Sequence, residues 1–215
     1  MLLVILSLTW VVAYKYVPPP ITGMMFYKWW KQENYNIDYR WKDLEEIDSS
    51  VPMAFISSED QKFLDHNGFD VEAIKKAIES NKASKKVRGA STISQQVAKN
   101  VFLLPTKSYL RKGLEVYFTF LIELVWGKER IMEVYINVVE LGDGVYGAEA
   151  AAQKYFKKSA NKLSRQNAAL MATALPNPLI YKLKSPSGYM YNRSNWVMRQ
   201  MNNLGGEGIL REWYE

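Results

Sequence analysis

Cysteine is absent from this chain of 215 residues, and histidine occurs once, at His66. Without thiols there is no disulfide, no thiolate nucleophile and no Cys-based zinc site. A single imidazole excludes a His-rich metal centre and leaves any Ser–His catalysis to one ring. A Walker A loop is missing as well, which disfavours a nucleoside triphosphate as ligand. Acidic residues are the minority, with 22 Asp and Glu against 28 Lys and Arg, a formal charge of +6. That surplus points to an anionic partner: nucleic acid, acidic lipid headgroups or a phosphorylated substrate. At 48% apolar and 23% charged residues the chain can still bury a core. Its length fits one domain with at most a small appendage.

Charge is locally absent too. Residues 2–14, LLVILSLTWVVAY, carry none, and Lys15, Tyr16 and Val17 follow. A membrane crossing needs about 20 apolar residues, with a lower limit of about 17. The run reaches that limit if Lys15 snorkels and the next two residues sit at the interface. A cleaved signal peptide would show a basic leading region and a small-residue cleavage site, and neither is visible. The reading is therefore a transmembrane anchor over residues 1–17. An aromatic juxtamembrane segment over 18–45 follows, rich in Trp29, Trp30, Trp41, Phe26, Tyr27, Tyr35 and Tyr39. Trp and Tyr suit an interface because one end of the ring is apolar and the other hydrogen-bonds. The alternative is a loop whose aromatics pack on the domain.

From Asp70 onward the apolar spacing is helical, and no alternating strand pattern persists. Asp70 is placed to cap VEAIKKAIESNK. Thr92, with Gln95 three residues on, reads as a capping box opening TISQQVAKNVFLL. Leu110, Leu114, Tyr117, Leu121 and Leu124 mark one face of a long helix after Pro105. Ile131, Val134, Tyr135 and Val138 mark another. Ala148–Phe156 reads as a short helix, Ser164 as a cap, and 186–204 as a last helix. The fold class is mainly α, with residues 46–215 as the folded domain.

Three polar segments interrupt this pattern. SSEDQKFLDHNGFD (57–70) gathers Glu59, Asp60, Asp65, His66 and Asp70 around Phe63. A carboxylate near aromatic rings has its charged form disfavoured, which suits a general base. A polar loop is the plain alternative. In RGASTISQQVAKN (88–100), Arg88, Ser91, Gln95 and Lys99 converge at a helix N-terminus, a natural seat for phosphate. A solvated basic helix end would look the same. In TKSYLRKGLE, Lys107, Arg111 and Lys112 precede Glu115, which interrupts an apolar helix. An intrahelical Arg111–Glu115 pair would explain it. Two separated glutamates with several cations suit chemistry on a sugar with a phosphate leaving group.

In order, these segments resemble the motifs of the peptidoglycan glycosyltransferases, glycosyltransferase family 51. SEDQKFLDHNGFD is similar to the first motif, RGASTISQQVAKN to the second and RKGLE to the third. KERIMEVYINVVELGDGVYGAEAAAQKYF is similar to the fourth, and LSRQNAALMATALPNPLIY to the fifth. The chain resembles the monofunctional members, since no K-T-G follows Ser159 and Lys162 to suggest a transpeptidase. The resemblance implies a lysozyme-like, mainly α glycosyltransferase domain on the outer face of the inner (cytoplasmic) membrane, held by a single N-terminal transmembrane helix. It implies polymerisation of lipid II onto a lipid-linked nascent glycan, with Glu59 as general base and Glu115 as a second carboxylate. Ser91, Gln95, Gln96, Lys99, Lys107 and Arg111 would bind the donor and its pyrophosphate. Asp60, Phe63, His66 and Arg88 would shape the motifs, while Glu133, Tyr135 and Asn137 would be structural. No cofactor is required; a divalent cation, Mg or Mn, near the pyrophosphate is compatible with it. The partners implied are the membrane, lipid II, and cell-wall synthesis or division proteins, not nucleic acid. Ala90 stands where the second motif usually has glycine, Lys107 where many members carry Arg, and Asn167 where an acid is usual. A lysozyme-like hydrolase or lytic transglycosylase, and a non-catalytic scaffold, are the rival readings.

Overall fold

A computed structural model describes residues 1–83, 89–106 and 108–215. The helices are α1 (Leu2–Tyr16), α2 (Gly23–Lys31), α3 (Ser50–Glu59), α4 (Val71–Ala83), α5 (Ile93–Phe102) and α6 (Tyr109–Val125). They continue with α7 (Lys128–Val138), α8 (Ala148–Ala151), α9 (Arg165–Ala174) and α10 (Gly188–Asn203). The caps are realised, and the α7 face of Ile131, Val134, Tyr135 and Val138 is buried. The face expected on α6 is corrected, since Leu110, Leu114 and Leu124 are exposed and the helix instead buries Glu115, Phe118, Thr119, Leu121 and Ile122. Thr92 and Gln95 close a capping box on α5, and Asp70 accepts from the Ala73 amide at the start of α4. Ser164 caps α9, and Asn167 supplies the reciprocal bond that an acidic residue would have made. The Ala-rich segment begins as α8 and continues as a π-helical turn over Ala152–Phe156.

The centre of the molecule is α3, and its periodicity is uninformative because Ser50 to Ser57 are all buried. Pro52 lies in its first turn, where a missing N–H costs no helical bond. Around α3 pack α7, α9 and α10, while α5 bridges from α7 to α6. Phe55, Met53 and Ile56 of α3 are fully enclosed. Glu59 is therefore the last residue of a buried helix and not part of an open loop.

A small sheet was not legible in the sequence, because its strands are two or three residues long. Its order is β1 (Asp38–Tyr39), β3 (Val145–Tyr146), β2 (Glu140–Gly142), with β1 parallel and β2 antiparallel to β3. The sheet ties the aromatic segment to the domain. Lys28 Nζ lies 2.6 Å from both Glu140 carboxylate oxygens, and the Tyr35 and Tyr146 hydroxyls meet at 3.0 Å. The buried Asn137 side chain bonds both the amide and the carbonyl of Lys42, at 2.9 and 2.8 Å.

The expected transmembrane helix finds no support among the described residues. α1 has 15 residues, about 22 Å at 1.5 Å per residue, against a hydrocarbon core of about 30 Å. Among the described residues no helix is long and apolar enough to cross a membrane. One side of α1 docks on the domain. Val11 is buried, its carbonyl accepts from Trp126 Nε1 at 2.8 Å, and Ser7 meets the Tyr117 hydroxyl at 2.7 Å. Arg130 donates to the carbonyls of Tyr14 and Val17 at the helix end.

Gly147, which begins α8, has φ +83°, and a Cβ there would lie 2.4 Å from the Asn137 carbonyl oxygen. Gly147→Ala combines left-handed strain with a backbone clash. It is expected to cost about 2 kcal/mol or more, lowering the thermal midpoint by about 4–8 °C. An unchanged melting curve would contradict this close packing.

Candidate active site

Glu59, Asp60, Ser91, Thr92 and Gln96 line one cleft of about 1010 Å³, together with residues of α4 and Pro176. Glu59 is half-buried. Burial pushes its carboxyl above the ordinary value. A hydrogen bond from Gln96 Nε2, at 3.0 Å, opposes the rise, as does the charge of Arg193, while Asp60 adds to it and Lys99 opposes it. The carbonyl end of α3 is a further source of negative potential at this carboxylate.

The next residue has the opposite surroundings. Asp60 is buried and accepts from the Ile93 amide at the start of α5, at 3.0 Å. It also bonds His66 Nε2, at 3.0 and 3.1 Å. The Gly68 amide donates to His66 Nδ1 at 3.1 Å, so the ring proton sits on Nε2 and is given to Asp60. Gly68, at φ +85°, leaves no room for a Cβ, which would meet Thr119 at 2.8 Å. Its carbonyl accepts from Thr92 Oγ1 at 2.7 Å. Phe63 is fully buried beneath Lys128, whose Nζ is 4.7 Å from the ring. The 60–68 loop is thereby bolted to the first turn of α5.

A second cluster lies on α6. Glu115 is buried and takes Arg111 Nη1 at 2.7 Å on one carboxylate oxygen and Lys112 Nζ on the other. Lys99, on α5, is half-buried between the clusters. Burial pushes its ammonium below the ordinary value. Glu115 opposes that, Arg111 and Lys112 reinforce it, and Glu59 opposes it.

Of the residues singled out in the sequence, Glu59, Asp60, Ser91 and Gln96 share the cleft, while Glu115 and Arg111 form the cation cluster. Gln95 is buried, and its side chain is spent on the Thr92 amide, holding the first turn of α5. Arg88 and Lys107 lie outside the described residues. Glu133 bonds the Leu44 amide and Arg130, at 3.3 and 2.5 Å. Sequence reasoning missed Arg193, which reaches the field of Glu59 from α10, and the contact that Tyr135 makes with Gln96. No local signal marks either residue, because each partner comes from a different helix.

The donors around Glu115 do not fit a divalent cation. Both of its oxygens are taken by cationic side chains, and among the described residues no three His, Asp or Glu groups converge to hold a metal.

The transglycosylase family model matches residues 27–202. The chain is similar to the biosynthetic peptidoglycan transglycosylase of Shewanella oneidensis, at 48% identity over 207 residues, 93% of this chain and 86% of that protein. It is similar to the protein of that name from Haemophilus influenzae, at 50% over 202 residues, 90% of this chain and 81% of that one. The Bdellovibrio bacteriovorus protein of the same name is 50% identical over 199 residues, 91% of this chain and 80% of its own.

The raised Glu59 carboxyl has a consequence for stability. Between the ordinary glutamate value and the raised one, the folded state keeps a proton that the unfolded chain has released. Stability is therefore lost as pH rises through that window. Glu59→Gln removes this loss and keeps an acceptor for Gln96. The variant is expected to melt a few °C higher than wild type at about pH 8, the gain fading below about pH 4. A variant no more stable than wild type at the higher pH would refute a desolvated, charged Glu59.

Proposed function

The chain belongs to the peptidoglycan transglycosylase family and is a peptidoglycan glycosyltransferase; from that premise we propose that it polymerises lipid II by an inverting transfer based on Glu59. Glu59 takes the proton of the acceptor's 4-hydroxyl. The freed oxygen attacks C1 of the lipid-linked glycan donor, the bond from C1 to the pyrophosphate breaks, and a β-1,4 link forms with release of undecaprenyl pyrophosphate. The observation that carries this reading is a half-buried carboxylate in the cleft wall, pushed toward the range of a working base by burial.

Negative charge grows on the pyrophosphate as its bond to C1 breaks. Cations already in place stabilise that state more than the ground state and need no reorganisation. Lys99 and Arg111 take this role, joined by Lys107 through the motif match. Glu115 is read as the residue that orients Arg111 and Lys112, its oxygens being occupied by them. Ser91, exposed on the cleft wall, is read as a contact to the donor.

The surface supports a membrane-interface location. Leu3 and Ile5 of α1, Trp29 and Trp30 of α2, and Phe120 and Leu124 of α6 all point their side chains to solvent. α1 packs on α6, and α2 on α5. Together with the basic surplus, this supports a domain resting in the outer-leaflet interface of the cytoplasmic membrane, where a lipid-borne substrate is presented.

Purified protein in detergent is expected to build glycan chains from labelled lipid II. Glu59→Gln, folded, is expected to be slower by at least about 100-fold. Equal rates would remove Glu59 from its role, and cleavage of preformed glycan without polymerisation would replace the polymerase by a hydrolase. The protein is also expected to co-sediment with phosphatidylglycerol vesicles. Joint replacement of Trp29 and Trp30 by Ser is expected to weaken that binding about tenfold or more, and undiminished binding would refute the interfacial face.

A further inference from the structure

Three helices each deliver one side chain to a line of hydrogen bonds that ends on Glu59. Tyr135 of α7 is fully buried and meets Phe55 of α3 edge-on, with ring centroids 5.9 Å apart. Its hydroxyl donates to Gln96 Oε1 at 3.1 Å. Gln96, on α5, donates from Nε2 to Glu59 Oε2 at 3.0 Å. Among the described residues no hydrogen bond falls on the other oxygen, Oε1.

The direction of the line is set by chemistry. A carboxylate only accepts, so it needs the amide NH2 facing it. Turning the Gln96 amide round would set a carbonyl oxygen against the carboxylate and leave a buried hydroxyl proton without an acceptor, a costly arrangement. Tyr135 stays protonated throughout, since burial pushes its hydroxyl well above the ordinary value, with Glu59 and Asp60 adding to the effect.

We propose that Tyr135 and Gln96 form a positioning relay, in which the buried hydroxyl locks the Gln96 amide so that it grips one oxygen of Glu59 and leaves the other for the acceptor hydroxyl. The inference rests on Glu59 being the base. It makes Gln96 act through Glu59 and not through the sugar or phosphate of the donor, and it gives Tyr135 an effect on the reaction without contact to substrate. Because the relay bonds the charged form of Glu59, it works against the desolvation that raises the carboxyl, and keeps the base ionised at lower pH.

The test compares the full chain with Tyr135→Phe, Gln96→Leu and the double variant. The pH dependence of lipid II polymerisation is one readout. The carbon-13 titration of the Glu59 carboxyl, assigned by its loss in Glu59→Gln, is the other. Both single variants are expected to lose about tenfold in rate on the acid side, to recover as pH rises, and to keep their KM for lipid II. The double variant is expected to match Gln96→Leu alone, because Tyr135 acts only through Gln96. The Glu59 resonance is expected to titrate at higher pH in all three. If Tyr135→Phe does not fold, Gln96→Leu, at a half-exposed position, decides alone. An unmoved Glu59 titration overturns the relay, as does an unmoved acid limb with a raised KM, which would make Gln96 a substrate contact. A folded wild type that makes no glycan would defeat the lipid II reading, and the titration would still decide the relay.

Discussion

A carboxylate at the carbonyl end of a buried helix is the constraint on which the rest of this structure depends. Glu59 closes α3, whose Ser50–Ser57 stretch is enclosed by the core. A charge placed there is disfavoured by lost hydration and by the helix end, and both effects raise its affinity for a proton. Its neighbour Asp60 meets the opposite field, at the amide end of α5 with His66 as donor. Two adjacent acids thus acquire different tasks from the helix ends that they face. One remains a desolvated carboxyl in the cleft, while the other pins the 60–68 loop.

The cation cluster shows the complementary economy. An exposed Arg–Glu pair one turn apart contributes only a few tenths of a kcal/mol to a helix. The Arg111–Glu115 pair is different, because the Glu115 side chain is only 4% exposed and would be costly to bury unpaired. The pair fixes Arg111 and Lys112 against one buried carboxylate. Lys99, with its ammonium pushed down by burial, feels both glutamates.

The N-terminal segment illustrates how docking gives an apolar run two distinct sides. Thirteen uncharged residues suggest a membrane crossing when read alone. In the fold, Trp126 and Arg130 bind carbonyls of α1, and Trp10 packs edge-on against Phe102 of α5 and Phe118 of α6, with centroids 5.2 and 6.3 Å away. α1 is therefore amphipathic in context although not in composition. Its inner side completes the core beside α5 and α6, and its outer side continues an apolar surface shared with α2 and α6.

The sequence by itself determined what depends on residues within a turn of one another. Thr92 with Gln95, Ser164 with Asn167, and Asp70 with the Ala73 amide are caps that four residues suffice to specify. The buried face of α7 is legible for the same reason, whereas that of α6 is not, because it turns Glu115, Phe118 and Ile122 inward and leaves Leu110, Leu114 and Leu124 outside. The ordered motifs identified the family and named Glu59 and Glu115. Tertiary structure decided the remainder. α3 has no polar face to betray it, and the strands are too short for alternation to register. Arg193 and Tyr135 reach the surroundings of Glu59 from distant helices, and the docked side of α1 exists only once α6 is beside it. Desolvation and relayed hydrogen bonds belong to neighbours in space, so only packing could set them.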